Sequence, residues 1–382
     1  MNRYAHFVGS LPSAVITSDT ETMQWFAQRS RGLELRSIPC DLDPNWVVEY
    51  LQDRTEFDDV LTIARPGQYA DYSDMRSYRI RPGRTLQPCH VSMHRLQRID
   101  EIAAAFHELR QQCPEIANTR LQISQPNPLD LAAFVFGGAA VTDGLPLGRA
   151  LRHFGSILPA IRALPVFTAA VLDEMSQLVG SHGDTLVFQV ESPIAQLAVV
   201  KAARLGTQAP VARMVARQLA GFLADAHEIG ARTILHLCYG DHRHRELLAP
   251  RSLAPSVALL NALARILRKR NVPLPPAHIP CAYGAHPAPL NPRFYQPLRR
   301  LDSEWQVIAG VAAATDPEDS IRSLNLFEQA LGRTASGVAT ACGLGRSTVE
   351  DAERAAATTI ATAATLRPER HSSRGALEDS AG

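Results

Sequence analysis

Short apolar, β-branched runs alternate with longer helix-patterned stretches about eight times along the 382 residues of this chain. The runs are Tyr4–Gly9, Leu33–Pro39, Thr119–Ser124, Thr185–Glu191, Arg232–Tyr239, Pro276–Ala282, Trp305–Val311 and Ser336–Cys342. Amphipathic or Ala/Leu-rich stretches lie between them: Ile99–Gln112, Ala160–Gly180, Val211–Ile229, Ser256–Lys269, Ser320–Leu331 and Ser347–Ala364. Consecutive parallel strands need a crossover, and a helix is the usual one. Strand then helix, repeated this often, predicts an α/β fold with the parallel sheet rolled into a single (β/α)8 TIM barrel. Local punctuation agrees. Ser347 with Glu350 three residues on reads as a capping box, and Asp316-Pro317-Glu318 as an acidic, Pro-marked first turn.

Two segments depart from the rhythm. Residues Gln68 to Arg95 are polar, aromatic and Pro/Gly-marked, and read as an insertion between the second and third strands. Arg367 to Gly382 is nearly without apolar residues and reads as a disordered tail. The expected organisation is therefore one barrel over residues 1–366 and a tail over 367–382.

Composition narrows the function classes. Lys and Arg number 39 against 38 Asp and Glu, which lacks the basic surplus of a nucleic-acid binder. No apolar run approaches the roughly 20 residues of a membrane span, and the first residues do not read as a secretory signal. Six cysteines in so long a chain are too sparse for a disulfide framework, so reduced thiols and a cytoplasmic location are expected.

In a barrel of this kind, chemistry gathers where the strands end at their C-terminal face. The fifth strand ends Leu235-His236-Leu237-Cys238-Tyr239-Gly240, and side chains two apart on a strand point the same way. The eighth ends Ala341-Cys342-Gly343-Leu344-Gly345-Arg346, which puts Cys342 at the same mouth. An imidazole and two thiolates suit zinc, and three protein ligands leave a position for substrate. Cys281, ending the sixth strand, offers a fourth ligand or a packing group. Cys40 reads as pocket lining, and His6 and Tyr4 as barrel lining. Arg346, ahead of a helix start, suits an anion or a barrel carboxylate. The cationic loop Asp241–Glu246 reads as a solvated turn or an anion contact.

The motifs around His236-Leu237-Cys238-Tyr239 and Cys342-Gly343-Leu344-Gly345-Arg346 resemble the zinc motifs of the catalytic barrel of cobalamin-independent methionine synthase. That barrel belongs to a superfamily with uroporphyrinogen decarboxylase and zinc-dependent methyltransferases. Gly9-Ser10-Leu11-Pro12 resembles the family's opening Gly-Ser-Phe-Pro. Asp41 to Leu51 is similar to the segment whose acid binds the substrate amino group, and Gln189-Val190-Glu191-Ser192-Pro193 to the Gln-x-Asp-Glu-Pro of strand four. The resemblance implies a Zn2+-dependent methyl- or alkyl-transferase that activates a thiol, with a small thiol or amino-acid acceptor. The donor would be a methyl-folate or a methyl-corrinoid protein. It implies His236, Cys238 and Cys342 as metal ligands, Ser10, Asp41, Glu191 and Arg346 as substrate-binding residues, and Asp41 and Glu191 as catalytic carboxylates.

The departures point to a specialised paralogue. The family's glutamate ligand after strand six is missing, since that strand reads AHIPCAYG. Asp41 replaces a glutamate, Pro44 stands where a basic residue is expected, and Glu191-Ser192 replaces Asp-Glu. The folate-binding barrel of the full-length synthases has no counterpart. A lyase or decarboxylase on the same metal, and a non-catalytic barrel, remain the alternatives.

Overall fold

The computed structural model describes residues 3–40, 46–68, 74–138, 154–240, 248–282 and 286–366. Asp41, Pro44, the Asp241–Glu246 loop and the 367–382 tail, for which the sequence raises expectations, lie outside the described residues. All eight strand runs anticipated from the sequence form strands. They are β1 (Tyr4–Ala5), β2 (Ser37–Pro39), β5 (Arg120–Pro126), β6 (Leu186–Glu191), β7 (Thr233–His236), β8 (Ala277–Pro280), β9 (Val307–Ala312) and β10 (Gly337–Thr340). β3 (Leu61–Arg65) and β4 (Ser77–Ile80) form a separate antiparallel pair. The eight-stranded sheet runs β1-β10-β9-β8-β7-β6-β5-β2, parallel at every pairing. A parallel bridge between Ala5 and Leu35 joins its two ends and closes the (β/α)8 barrel. The closure is reinforced from the far end of the chain. Arg3 makes a bidentate, buried ion pair with Glu328 in helix Pro317–Leu331, at 2.7 Å through both nitrogens, and Glu328 also accepts from the Ala335 amide at 2.9 Å.

Residues of alternate parity fill the barrel in layers. At the bottom, Tyr4, Val187, Ile234, Ile308 and Ala339 form an apolar plug with Val8. One step up, His6, Gln122, Gln189, His236 and His278 are all buried, a polar layer inside a hydrophobic shell. Above it lie the strand ends. Residues of opposite parity, such as Leu235, Ile279 and Val338, pack outward against the helices.

The insertion falls where the sequence placed it but begins earlier and is ordered differently. It starts with helix Trp46–Asp53, and Leu61–Arg65 pairs with Ser77–Ile80 as a hairpin rather than an irregular excursion. The hairpin was not legible because β3 is exposed over most of its length, including Ile63, and shows no strict alternation. The Tyr78 hydroxyl donates to the Leu51 carbonyl, and the fully buried Arg54 donates to Tyr50 and His90 carbonyls, which tie the excursion together. The final helix, Val349–Ala364, is capped by Thr348, whose hydroxyl accepts from the Asp351 amide at 3.1 Å. Ser347 is not the cap; its amide instead bonds back to the Leu344 carbonyl at 2.9 Å. The acidic, Pro-marked first turn at Asp316-Pro317-Glu318 forms, with Asp316 as its cap, accepting from the Glu318 amide at 2.9 Å. Among the described residues no helix is long and apolar enough to cross a membrane.

Candidate functional site

β7 ends at His236, earlier than the sequence suggests, but the extended chain continues, with the Leu237 amide bonded to the His278 carbonyl at 3.2 Å. Leu235 and Leu237 therefore face the helices, and His236 and Cys238 face the barrel interior. Cys342 follows β10, where the Thr340 hydroxyl donates to the Cys342 carbonyl at 2.7 Å and bends the chain over the mouth. Residues 104 positions apart thus meet: the Cys238 and Cys342 sulfurs are 4.0 Å apart. One ligand atom from each of His236, Cys238 and Cys342 lies within 4.8 Å of the others. His236 and Cys238 are buried and Cys342 is half-buried, so the group opens to its surroundings on the Cys342 side. There a cavity of about 290 Å³ is lined by Ala282, Ala313, Thr315, Cys342, Ser347 and Arg354 among others.

The two thiols are unequal. Cys342 is held well below the ordinary thiol range, chiefly because Cys238 donates a hydrogen bond to it, with His236 and Arg346 adding positive polarity. Cys238 is pushed well up by the same hydrogen bond and by burial. The pair is thus polarised, with the proton favoured on Cys238 and the negative charge on Cys342. The Gly240 amide also donates to the Cys238 sulfur at 3.3 Å.

Beneath the sulfurs lies a part of the site that the sequence reading did not anticipate. His236 and His278 are register partners on β7 and β8. Their Nδ1 atoms are 2.7 Å apart, with ring planes 6° from parallel. His278 Nε2 donates to the Thr340 carbonyl at 2.9 Å. Burial, with His236 and His6 nearby, holds His278 well below the ordinary imidazole value, so it is neutral. His6 is held down to about 4, mainly by burial, and its Nε2 lies 3.1 Å from Gln189 Oε1. Gly310 on β9 makes room for His278: a Cβ there would stand 2.5 Å from its Nε2. The available clue was the phase of His278, opposite His236 once neighbouring strands are set in register.

The remaining candidates gather around the same mouth. Glu191 ends β6 opposite His236 in the register of β6 and β7. Its Oε1 accepts from the Ser124 hydroxyl and, at 3.2 Å, from the Gln189 amide, and its charge helps to raise the Cys238 thiol. Ser10 has φ 38°, a left-handed turn, and its hydroxyl accepts from the Gly345 amide at 3.2 Å. A side chain at 343 would meet that hydroxyl at 2.5 Å, so Gly343 lets the loops after β1 and β10 touch. Arg346 is half-buried beside Cys342, on which its charge acts. Cys281, weighed as a fourth ligand, is fully buried in the outer core with its Sγ turned to the Ile279 carbonyl at 3.7 Å, and it is not among the grouped metal-ligand atoms. Cys40 is buried with its sulfur against Asp19. Asp130 was also missed: it is fully buried, its Oδ1 accepts from the Ile194 amide at 2.8 Å, and burial pushes its carboxyl well up.

The chain shares its fold with two solved enzymes. A B12-independent methionine synthase from Shewanella sp. W3-18-1, solved in complex with selenomethionine, aligns over 95% of this chain and 97% of its own with a TM-score of 0.50 at 13% identity. A methyltransferase from Methanosarcina mazei aligns over 95% of this chain and 93% of its own, with a TM-score of 0.51 at 10% identity. At such identities the likeness speaks for the barrel fold. No family model matches the sequence, and no curated protein does either.

Proposed function

We propose that this chain is a zinc-dependent methyl- or alkyl-transferase whose acceptor is a thiol. The observation that carries the reading is the convergence of His236, Cys238 and Cys342, with one ligand atom of each within 4.8 Å of the others at the mouth of the barrel. One imidazole nitrogen and two sulfurs are the donor types zinc takes, and three protein ligands are the number that leaves a place for substrate. The fit extends to the thiols themselves, since the surroundings of Cys342 favour the thiolate that coordination requires. A bound zinc ion supplies Lewis acidity that keeps a substrate thiol ionised at neutral pH.

The chain's own groups bind and orient. Glu191, fixed by Ser124 and Gln189, would take the ammonium group of an amino-acid thiol. Arg346 and Ser10, on the Cys342 side, would take its carboxylate. Asp41 joins this set by the resemblance alone. The cavity of about 290 Å³ beside Cys342, with Thr315, Ser347 and Arg354 in its lining, has room for a small substrate only. The acceptor sulfur takes the alkyl group while the donor's leaving atom departs with the bonding pair.

Protein purified without chelators should carry about one zinc per chain by elemental analysis, a content lost in Cys238→Ser and Cys342→Ser. After cobalt substitution, homocysteine or another small thiol should change the ligand-field spectrum. Absence of stoichiometric zinc overturns the reading. A metal-loaded protein whose spectrum no thiol changes would turn it toward a lyase or decarboxylase.

A further inference from the structure

We propose that His278 is a positioning residue, which holds a proton of His236 on Nδ1 so that Nε2 is the atom turned to the two cysteine sulfurs. The proposal deepens the metal reading above and rests on it for its functional meaning. A carbonyl oxygen cannot donate, so the 2.9 Å contact from His278 Nε2 to Thr340 requires a proton on that nitrogen. A neutral imidazole carries one N–H, so His278 Nδ1 is an acceptor. The atom 2.7 Å away, His236 Nδ1, must then be the donor. That leaves His236 Nε2 for the Cys342 sulfur, with which His236 shares a hydrogen bond, and makes it the nitrogen that a metal ion would meet once that proton departs. The chain of bonds from Thr340 through His278 to His236 has one self-consistent direction.

The arrangement is built rather than incidental. His278 is fully buried, its ring runs parallel to that of His236 with centroids 4.7 Å apart, and Gly310 gives it space that no larger residue would leave. The partner of a metal-binding histidine is ordinarily a carboxylate, a backbone carbonyl or water. Here a second imidazole takes that place and relays the preference of a β10 carbonyl. That carbonyl belongs to Thr340, two residues before Cys342, so the same strand end aims both the imidazole and one of the thiols.

The test starts from metal-free protein labelled with 15N-histidine. Long-range 1H–15N spectra, assigned with His6→Gln and His278→Gln variants, should place the His236 proton on Nδ1 and the His278 proton on Nε2. A His236 ring without a proton on Nδ1 overturns the proposal. This readout does not depend on zinc, so it decides the role of His278 even if the wild type proves to bind none and the transferase reading fails. Zinc competition then measures the consequence. His278→Phe should weaken binding about 10–100-fold, and His278→Gln, which keeps one donor and one acceptor, should recover part of the loss. The cobalt spectrum of His278→Phe should shift as the imidazole turns. Zinc affinity in His278→Phe within twofold of wild type overturns the proposal. Should that variant fail to fold, the tautomer measurement and the Gln variant still decide.

Discussion

A single methyl group at position 310 tests how the buried histidine pair is packed. In Gly310→Ala the added Cβ would lie 2.5 Å from His278 Nε2 and 2.9 Å from both the Ile279 carbonyl oxygen and the Pro280 Cα. Ordinary contact starts at 3.4 Å, so the imidazole would have to withdraw by about 0.9 Å, or β9 would have to move from β8. The backbone atoms cannot yield cheaply. Overpacking of this kind costs about 1–3 kcal/mol. If the bond to Thr340 is also lost, an unsatisfied buried donor adds about 1–3 kcal/mol. We expect metal-free Gly310→Ala to lose about 2–6 kcal/mol in urea unfolding, the sum of those ranges. Zinc binding, followed by chelator competition, should weaken about tenfold or more as His236 loses its partner. The backbone at 310 is not left-handed, so alanine itself brings no conformational strain there. A variant within about 0.5 kcal/mol of wild type, with unchanged zinc affinity, would refute the packing described here.

Three further outcomes follow from other contacts. Glu328→Gln leaves Arg3 buried without its counter-charge, and should cost about 3–5 kcal/mol, read as a lower urea midpoint; a change below about 1 kcal/mol would show the pair to be dispensable. His6 binds its proton only near pH 4 when folded but near 6.5 when unfolded, so the unfolded state holds more protons between those values. Its contribution is complete above pH 6.5 and is lost as the pH falls toward 4, by about 3 kcal/mol at most. Urea midpoints of metal-free protein should fall across that window, and less steeply in His6→Gln; a flat profile speaks against a buried neutral His6. Cys281→Ala should keep its zinc content while losing about 1 kcal/mol for the removed sulfur. Loss of the metal in this variant would restore Cys281 as a ligand.

Much of the barrel was legible because its signals are local. A β-branched run marks a strand wherever it packs, and the ends of the runs Thr185–Glu191, Arg232–Tyr239 and Ser336–Cys342 marked the barrel mouth. Placing His236 and Cys238 on one face needed only the period of two. The hairpin of β3 and β4 stayed hidden, because a half-exposed strand pair shows no clean alternation. Helix Asp19–Arg29 and helix Pro128–Gly137 were missed for opposite reasons: the first is strongly polar, and the second is apolar on nearly every side.

Cys281 shows the limit of position in sequence as a guide. It ends a strand as Cys238 nearly does, yet its phase turns the sulfur into the outer core. His278 shows the converse, an unremarked residue that register sets against His236. The sequence by itself determined the eight strands of the rolled parallel sheet and the shared side of His236 and Cys238, because these depend on spacings of a few residues. Only the tertiary structure decided that the Cys238 and Cys342 sulfurs meet at 4.0 Å and that two imidazoles share one hydrogen bond. Those contacts depend on the stagger of strands around a closed ring, a relation among segments far apart in the chain that no local pattern encodes.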